Sequence, residues 1–352
     1  MGARIVMLPG DGIGPEVVDA ARVVLETAAK QDGIPIELVT QLIGGAAIDA
    51  SGSALPDETL QACQHADAVL LGAVGGPKWD DPTAKVRPEQ GLLGLRRGLG
   101  LYANLRPVRP HPALADVSPL KAERLAGVDL IFVRELTGGI YFGQPRRREK
   151  FDGGERAIDT LEYTDAEVRR VVRLAFRLAA ERRGRVTSID KANVLESSRL
   201  WRQTATAVAA EFPSVTLEHQ LVDSAAMRLV TEPGKYDVVV TENMFGDILT
   251  DEAAVLSGSL GLLPSASLGD ARVGLYEPIH GSAPDIAGRG IANPLGTIAS
   301  VALLFRHSLG AAATARRIER AIDGVLADGL RTADLGGTLG TDAITRAVVE
   351  RL

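Results

Sequence analysis

The sequence predicts an α/β protein of about two domains, and three observations lead to this prediction. Short apolar segments alternate with helical patterns along the chain, as in sheets whose strands are joined by helices. The chain opens with a strand, a glycine-rich turn and a helix, the first unit of such a fold. Its 352 residues, at roughly 150 per domain, correspond to about two domains. Because no repeat or low-complexity linker separates them, we expect the domains to share a continuous interface or to be interleaved in sequence.

The predicted elements alternate from the first residues onward. Residues 4–8 predict a buried strand, residues 10–14 a tight turn, and Pro15 the first position of a helix. That helix carries an apolar stripe at helical spacing: Val17, Val18, Ala21, Val24 and Leu25. Later apolar segments predict strands at 68–71, 130–133, 186–189 and 238–240. Helical patterns predict helices at 164–183, 196–211, 246–257, 297–309, 313–327 and 341–352.

Composition and charge narrow the classes of function. The chain is 45% hydrophobic and 24% charged, close to the globular average and unlike a disordered protein. Its net charge is -6 and its longest basic run, 146–148, is followed by Glu149, so we expect no nucleic-acid partner. The longest apolar run, 298–305, is too short to span a membrane. Cys63 is the only cysteine, so no intrachain disulfide can form, and we expect a soluble enzyme of the reducing cytoplasm.

The first glycine turn does not complete a dinucleotide-binding fingerprint. Gly10 and Gly12 fit the pattern GxGxxG, but Pro15 occupies the third position. No convincing acidic residue ends a strand about 20 positions further on. We therefore expect a structural or ligand-facing turn, and a cofactor site must be sought elsewhere.

Two carboxylates follow the predicted strand at 238–240. Asp247 and Asp251 are four residues apart, so on a helix they share one face and repel each other unless a cation lies between them. Oxygen ligands without nearby His or Cys favour Mg²⁺ or Mn²⁺ over zinc. A solvated helix face is the alternative, but α/β proteins bind ligands just beyond buried strands, which favours a metal site.

Lys191 and Tyr141 are candidates for moving protons. Lys191 follows the predicted strand at 186–189, and partial burial or nearby positive charge would lower its pKa enough for it to act as a base. Tyr141 lies in a glycine-flanked segment after the strand at 130–133, where its hydroxyl could donate a proton. The alternatives are a surface lysine and a tyrosine that serves packing.

Three arginines are candidates for binding a carboxylate substrate: Arg96, Arg106 and Arg134. Two of them end apolar segments, where a plain surface role is less natural. A guanidinium binds a carboxylate through two parallel hydrogen bonds, so three converging arginines would suit a di- or tricarboxylate. Taken singly, each could instead be a surface or salt-bridge residue.

The segment 276–294 is too polar and glycine-rich for a core element, so it predicts a loop. Gly281 and Ser282 can present backbone N–H groups to an anion. Asp285 is placed to accept a hydrogen bond from a ribose 2′-hydroxyl and would repel a 2′-phosphate, which predicts NAD rather than NADP. A plain connecting loop is the alternative.

Several segments together resemble a known family. They are PGDGIGPE at 9–16, GGPKW at 75–79, ANLRP at 103–107, RELTGGIY at 134–141, DKAN at 190–193 and NMFGD at 243–247, with the segment 276–294. Over essentially its whole length the chain resembles the isocitrate/isopropylmalate dehydrogenase family of metal-dependent β-decarboxylating dehydrogenases. The resemblance implies that family's two-domain α/β fold rather than a Rossmann fold, which would account for the incomplete fingerprint.

The resemblance also implies how the chain is organised. A discontinuous first domain, 1–101 plus 258–352, would lie on the cofactor side. The second domain, 102–257, would carry the dimer interface and the metal site. We expect a homodimer whose active sites combine residues of both subunits, with NAD as oxidant and one Mg²⁺ or Mn²⁺ per subunit.

The resemblance gives each candidate residue a role. Tyr141 of one subunit and Lys191 of the partner subunit would be the acid–base pair. Asp223 of the partner subunit would join Asp247 and Asp251 as metal ligands. The substrate would contact Arg96, Arg106, Arg134, Asp223, Leu92 and Leu93. The cofactor would contact Gly76, Glu89, His280, Gly281, Ser282, Ala283, Pro284, Asp285, Ile286, Ala287, Gly288, Ala292 and Asn293.

The residues just before Arg96 bear on the choice of substrate. Members of the family share a malate moiety, so the arginines cannot discriminate between substrates. Leu92 and Leu93 offer an apolar surface that fits an isopropyl group and would leave a carboxylate side arm unpaired. The expected reaction is NAD-dependent oxidative decarboxylation of (2R,3S)-3-isopropylmalate to 4-methyl-2-oxopentanoate and CO₂, in leucine biosynthesis. D-malate or tartrate is the alternative substrate. A catalytically silent regulatory homologue is the alternative class, which the complete set of candidate catalytic residues disfavours.

Overall fold

The five apolar segments predicted as strands all form strands in the computed structural model, which describes residues 2–81 and 84–352. This part of the chain contains the strands β1 Ala3–Gly10, β2 Ile36–Thr40, β3 Ala68–Ala73, β4 Ala103–Val108, β5 Leu130–Glu135, β6 Arg147–Phe151, β7 Gly154–Ile158, β8 Arg185–Asp190, β9 Thr216–Leu221, β10 Val238–Thr241, β11 Pro264–Leu268 and β12 Gly274–Pro278. β3, β5 and β10 are buried along their whole length, as expected of apolar strands covered on both faces.

The predicted helices also form, each within about three residues of its predicted start and end. The helices are α1 Gly14–Gln31, α2 Gly44–Ser51, α3 Asp57–Gln64, α4 Pro88–Gly98, α5 Ala122–Leu125, α6 Asp165–Ala180, α7 Glu196–Ala209, α8 Val222–Thr231, α9 Asn243–Ala254, α10 Leu295–His307, α11 Ala312–Ala327 and α12 Thr341–Val349. Short 3₁₀ turns lie at Pro77–Trp79, Pro112–Leu114, Gly139–Tyr141, Pro233–Lys235, Val255–Ser257, Leu260–Leu262 and Ala333–Leu335. Over the described ranges, no helix has both the length and the apolar character needed to cross a membrane.

The chain divides into two units. The first comprises Met1–Leu101, Pro110–Pro119 and Ser257–Leu352, and the second comprises Tyr102–Arg109 and Leu120–Leu256. The first unit is therefore discontinuous, and it includes Pro110–Pro119 and Ser257, which the predicted boundaries assign to the second domain.

The first unit is built on five strands in the order β2-β1-β3-β12-β11. The first four are parallel, and β11 is antiparallel to β12. One face of this sheet buries a core that includes Leu8, Val69, Leu95 and Leu275. Cys63 is fully buried in the same core, and burial raises the pKa of its thiol to about 12.

The second unit is built on five strands in the order β4-β5-β10-β8-β9, all parallel except β4. Phe132, Ile189 and Val239 of these strands pack in one core. α6 starts where the sequence supplies a capping box: the Thr164 hydroxyl accepts from the Glu167 amide, and the Glu167 carboxylate accepts from the Thr164 amide. The pair β6–β7 forms a separate antiparallel ribbon.

The predicted start of the helix after β10 is wrong by three residues. α9 begins at Asn243 rather than at residue 246. The cause is Glu242, whose carboxylate accepts a hydrogen bond from the Phe245 amide at 2.7 Å and caps the first turn. The cap places Asp247 and Asp251 on one continuous helix.

The prediction that 276–294 is too polar to form a core element is wrong for its first three residues. Gly274–Pro278 is β12, a strand that is buried throughout. Its polar groups have partners: the Tyr276 hydroxyl lies 2.7 Å from Ser308 Oγ, and Glu277 accepts a hydrogen bond from Arg96. Paired polar groups can be buried at little cost, so polarity alone misled the prediction.

Candidate active site

The candidate residues of the second unit follow the carboxyl ends of its parallel strands. β5, β10 and β8 end in register, with Arg134 paired to Thr241 and Thr241 to Ile189. The candidates follow in turn: Tyr141 after β5, Lys191 after β8, Asp223 after β9, and Asp247 and Asp251 after β10. α/β proteins bind ligands at this edge of the sheet, so topology alone brings these side chains to one side of the unit.

Arg134, Asp247 and Tyr141 form one hydrogen-bonded group. The Arg134 guanidinium donates to Asp247 Oδ1 and lies 5.9 Å from the centroid of the Tyr141 ring. The Tyr141 hydroxyl donates to Asp247 Oδ2 at 2.9 Å. Partial burial, reinforced by the Asp247 carboxylate, raises the pKa of Tyr141 above its ordinary value. The phenol therefore keeps its proton at neutral pH and can serve as a proton donor.

Arg106 holds the second carboxylate of α9. Its Nη1 donates to Asp251 Oδ1 at 3.2 Å and to Thr250 Oγ1 at 2.7 Å. Asp247 and Asp251 thus each face an arginine, whose positive charge offsets part of their mutual repulsion. The metal ion expected between them stays a prediction. Their side chains remain 39% and 69% exposed, which leaves carboxylate oxygens accessible to a ligand.

Lys191 and Asp223 form an ion pair with each other. The ammonium donates to Asp223 Oδ1, and this hydrogen bond holds the pKa of the Asp223 carboxyl below its usual range. The Lys191 backbone amide donates to Ser198 Oγ at 3.0 Å, which fixes the start of the segment after β8. The two residues are therefore neighbours on the surface of the unit.

A metal ion could be held by Asp247 and Asp251. Their carboxylate oxygens are hard ligands that suit Mg²⁺ or Mn²⁺. Across residues 2–81 and 84–352, no three or more His, Cys, Asp or Glu side chains group in a way that could hold a metal.

In the first unit, the 10–14 turn supports two candidate cofactor segments. The Asp11 carboxylate is buried and accepts three hydrogen bonds at 2.7 to 2.8 Å, from the backbone N–H groups of Gly45, Ala46 and Gly75. The Ile13 amide donates to the Ser282 carbonyl at 2.8 Å. Gly12 has a φ of 58°, and a Cβ there would lie 2.0 Å from the Ser282 carbonyl oxygen. Here glycine permits the close approach of two backbones.

The predicted cofactor loop is anchored by its apolar residues and open at its polar ones. Its anchors, Ala283, Ile286 and Ala287, pack against Ile13, Val17 and Ala292. Gly281, Pro284, Asp285 and Gly288 are exposed. His280 Nε2 is buried and has no hydrogen-bond partner in the described part of the chain. Burial lowers the pKa of this ring, so the imidazole is neutral at pH 7. An unpaired buried nitrogen beside an open glycine loop fits a site that hydrogen-bonds a ligand.

The end of this loop is fixed by Asn293. Its Nδ2 donates to Asp334 Oδ2 at 3.0 Å, and its Oδ1 accepts from the Leu295 amide at 3.0 Å at the start of α10. Asp334 also accepts from the Ser259 hydroxyl. The amide of Asn293 therefore holds the loop itself in place.

α4 carries the remaining candidates. Arg96 donates to Glu277 Oε1 at 2.6 Å, and its side chain is only 14% exposed. Leu92 packs against the core, whereas Leu93 is 42% exposed, so Leu93 offers more free apolar surface. Glu89 lies beside the segment that contains Gly76, because a Cβ on the adjacent Gly75 would approach Glu89 Oε1 to 3.0 Å.

Reasoning from the sequence missed a buried polar cluster next to the Arg134 group: Glu135, Tyr163, Glu242 and Asn243. Glu135, Glu242 and Asn243 lie in or beside the quoted motifs, so the motifs give a weak signal for them. Tyr163 has no such signal, because it follows the β6–β7 ribbon and lies far in sequence from the residues that it contacts.

Comparisons with known proteins find relatives over the whole chain. The family model for isocitrate/isopropylmalate dehydrogenase matches residues 4–351. The chain is 66% identical over 352 residues to the 3-isopropylmalate dehydrogenase of Anaeromyxobacter dehalogenans, with 100% of both chains covered. It is 56% identical over 352 residues to that of Bacillus subtilis, with 99% of this chain and 96% of the relative covered.

Solved structures agree at the level of the fold. An isocitrate dehydrogenase from Methylococcus capsulatus is similar with a TM-score of 0.87 and 37% identity over 99% of both chains. A β-decarboxylating dehydrogenase from Thermococcus kodakarensis has a TM-score of 0.82 and 36% identity, covering 99% of this chain and 96% of that one. The predicted α/β fold, distinct from a Rossmann fold, is confirmed.

Proposed function

The chain belongs to the isocitrate/isopropylmalate dehydrogenase family, and we propose that it catalyses NAD-dependent oxidative decarboxylation of (2R,3S)-3-isopropylmalate in leucine biosynthesis. The product is 4-methyl-2-oxopentanoate, formed with CO₂. The observation that carries this proposal is the group of Arg134, Asp247 and Tyr141. It joins a carboxylate-binding guanidinium, an oxygen ligand for a cation and a protonated phenol through direct hydrogen bonds.

The arginines bind the two carboxylates of the substrate. The side chains of Arg96, Arg106 and Arg134 are only 7% to 14% exposed, so their charges act in a less hydrated environment than those of surface arginines. The exposed side chain of Leu93 contacts the isopropyl group. A smaller substituent at C3 would leave this apolar surface uncovered.

Asp247 and Asp251 hold the divalent cation, Mg²⁺ or Mn²⁺, together with Asp223 of the partner subunit. When bound, the cation supplies Lewis-acid polarisation of the substrate oxygens. The hydrogen bonds from Arg134 and Arg106 orient the two carboxylates of α9, as second partners of metal ligands do.

The segment 280–293 binds NAD, together with Gly76 and Glu89. NAD supplies the hydride acceptor when bound. The unpaired Nε2 of His280 provides a hydrogen-bonding atom, and the exposed Gly281 and Gly288 let the backbone approach the cofactor. Asp285 accepts from the ribose 2′-hydroxyl and repels a 2′-phosphate.

Two groups of the protein move protons. Lys191 of the partner subunit takes the proton of the 2-hydroxyl at Nζ, directly or through one water, as C2 loses its hydride. The bond between C3 and its carboxyl group then breaks, CO₂ leaves, and the electron pair remains on C3. The Tyr141 hydroxyl donates a proton toward C3. Its raised pKa keeps that proton in place until this step.

The active enzyme is a homodimer whose sites combine residues of both subunits. α8, α9 and the turn that follows expose Met227, Val230, Ile248 and Val255, an apolar surface that a second copy would cover. The second unit thus carries the dimer contacts and the metal site, and the first unit carries the cofactor loop. The lone buried Cys63 suits the reducing cytoplasm.

A panel of substrates with both cofactors tests this function. With Mg²⁺ and NAD, we expect kcat/KM for 3-isopropylmalate to exceed that for D-malate by about 10-fold or more, the effect of filling an apolar pocket. A preference for D-malate would contradict the substrate, and no turnover of any substrate would favour a regulatory homologue. Equal use of NADP would contradict the role of Asp285.

A matched pair of lysine variants tests the base. Lys191→Ala should abolish NADH formation. Lys235→Ala removes a lysine of the same unit whose ammonium pairs with Glu232 at 2.7 Å, away from the candidate residues in sequence, and it should leave the rate unchanged. Undiminished activity of Lys191→Ala would refute its assignment.

A further inference from the structure

Tyr163 is a buried tyrosine that precedes α6, and its ring is held by packing. The ring lies edge-on to Trp201, with centroids 5.8 Å apart and an interplanar angle of 73°. The ring also lies against two glycines of the segment that leads to Tyr141: a Cβ on Gly138 would lie 2.5 Å from Tyr163 Cε1, and one on Gly139 2.7 Å from its hydroxyl. The ring fills the space that these glycines leave, so the hydroxyl has a fixed position.

The hydroxyl of Tyr163 joins two separate segments. It accepts a hydrogen bond from the Asn243 amide at 3.0 Å, in the first turn of α9. It lies 3.2 Å from Glu135 Oε2 and 3.5 Å from Glu242 Oε2, and its single proton is donated to these carboxylates. Glu135 ends β5, and Glu242 caps α9.

Each of these contacts continues to a member of the Arg134 group. Glu135 accepts from the amides of Thr137 and Gly138, both at 2.8 Å, and so fixes the start of the segment that carries Tyr141. Asn243 Oδ1 accepts from Arg134 Nε at 3.1 Å and Nη2 at 2.9 Å. One phenol thereby links the strand end that leads to Tyr141 with the helix start that leads to Asp247.

We propose that Tyr163 is a positioning residue for proton donation: it sets the Tyr141 hydroxyl relative to Asp247 by tying the end of β5 to the start of α9. This proposal rests on the proposed function, because it assumes that Tyr141 is the donor. Tyr163 acts through Tyr141. A misplacement of about 1 Å in a reacting group can cost about 100-fold in rate, so a link of this kind has a measurable effect.

Tyr163→Phe keeps the ring and removes only the hydroxyl. We expect kcat with 3-isopropylmalate to fall by about 10-fold or more while KM changes by less than about threefold, since Arg106 and Arg134 still bind the substrate. In a Tyr141→Phe background, the same change should lower kcat by less than about twofold, because residues that act through one another are not additive. A kcat within twofold of wild type, or an equal fall in both backgrounds, would overturn the proposal.

Tyr276→Phe is the matched control, since it removes a hydroxyl that is bonded to Ser308 from a fully buried tyrosine of the first unit. Its kcat should stay within about twofold of wild type. Amide hydrogen exchange gives a readout without substrate: residues 137–142 and 243–247 should exchange faster in Tyr163→Phe and not in Tyr276→Phe. Unchanged exchange in Tyr163→Phe would overturn the link.

Two further outcomes remain decisive. If Tyr163→Phe does not fold, Glu135→Gln replaces it, because the amide keeps one oxygen for Thr137 but no longer accepts the phenol's proton at its second position. A fall in kcat of about threefold or more, again lost in the Tyr141→Phe background, supports the proposal, and an unchanged kcat overturns it. A wild-type enzyme that is inactive on 3-isopropylmalate would refute the proposed function instead, and the hydrogen-exchange comparison would still test Tyr163.

Discussion

Glu135 and Glu242 lie buried within reach of the same phenol, and each is held by backbone N–H groups. Burial raises the pKa of both carboxyls, and the charge of Glu135 raises that of Glu242 further. The backbone N–H groups of Gly138 and Phe245 donate to these carboxylates. Their hydrogen bonds lower the two pKa values, because they favour the ionised form. At the scale of single residues, burial of the two ionisable carboxyl groups therefore lowers the stability of the protein, while their hydrogen bonds fix two backbone segments.

Glu242→Gln should change how stability depends on pH. An acid whose pKa is higher in the folded state contributes stability that is fully present below its unfolded value, near 4.5, and is lost as the pH rises through the folded pKa. Glutamine does not ionise, so the variant does not lose this stability as the pH rises. The Tm of the variant minus that of wild type should therefore be more positive at about pH 8 than at about pH 5, as measured by thermal unfolding.

The control for this prediction is Glu58→Gln, which changes an exposed glutamate in the first turn of α3. Its Tm difference should stay nearly constant over the same range. A Glu242→Gln difference that falls with rising pH would show that the buried carboxyl is stabilised by ionisation.

At the scale of elements, the turn between β1 and α1 supports segments distant in sequence. The Asp11 carboxylate accepts hydrogen bonds from backbone amides of α2 and of the segment after β3, and the Ile13 amide donates to the Ser282 carbonyl. The incomplete fingerprint correctly excluded a Rossmann site. The turn instead holds the predicted cofactor loop by its backbone.

Gly12→Ala should destabilise the protein more than Gly33→Ala. Their φ angles are 58° and 63°, so each alanine carries a similar backbone strain of about 1 to 2 kcal/mol. A Cβ at Gly33 would meet nothing within 4 Å, whereas at Gly12 it would meet the Ser282 carbonyl. We expect an additional loss of about 2 kcal/mol and a higher KM for NAD only in Gly12→Ala. Thermal unfolding and steady-state kinetics check this, and equal losses in the two variants would contradict it.

Elements with an apolar pattern were predictable from the sequence, and elements with paired polar groups were not. β5 and β10 read as strands because every side chain faces a covered surface. β12 was missed because Glu277 is neutralised by Arg96, 181 positions earlier in the chain. The positions of the candidate residues that follow strand ends were predictable, because parallel strands end at the same edge of the sheet. Tyr163 was not, because its partners Glu135 and Asn243 are joined to it only by the fold.

At the scale of the whole molecule, the candidate residues are divided between two units of one chain and, in the proposed dimer, between two chains. Arg106, Arg134 and Tyr141 lie in the second unit, and Arg96 and the loop 280–293 lie in the first. Lys191 pairs with Asp223, and the two are assigned together to the neighbouring site. From this proposed division we expect assembly to be a condition of activity.

Heterodimers test the shared site. A dimer of one Tyr141→Phe subunit and one Lys191→Ala subunit, isolated through two different affinity tags, would have one doubly altered site and one intact site. We expect about half of the wild-type activity from it, since a two-fold symmetric dimer has two equivalent sites. The two parent homodimers serve as controls. A heterodimer no more active than its parents would show that Tyr141 and Lys191 of each site come from the same subunit.

Because Cys63 is buried in the first unit, its reaction with a thiol reagent can report on the opening of that unit. Because the chain has a single cysteine, and because burial raises the pKa of its thiol to about 12, a thiol reagent can label it only when the first unit opens. The labelling rate therefore measures local opening of that unit, separately from unfolding of the second. Comparing this rate with and without NAD would give the stabilisation that the cofactor confers, on the native sequence and without an introduced cysteine.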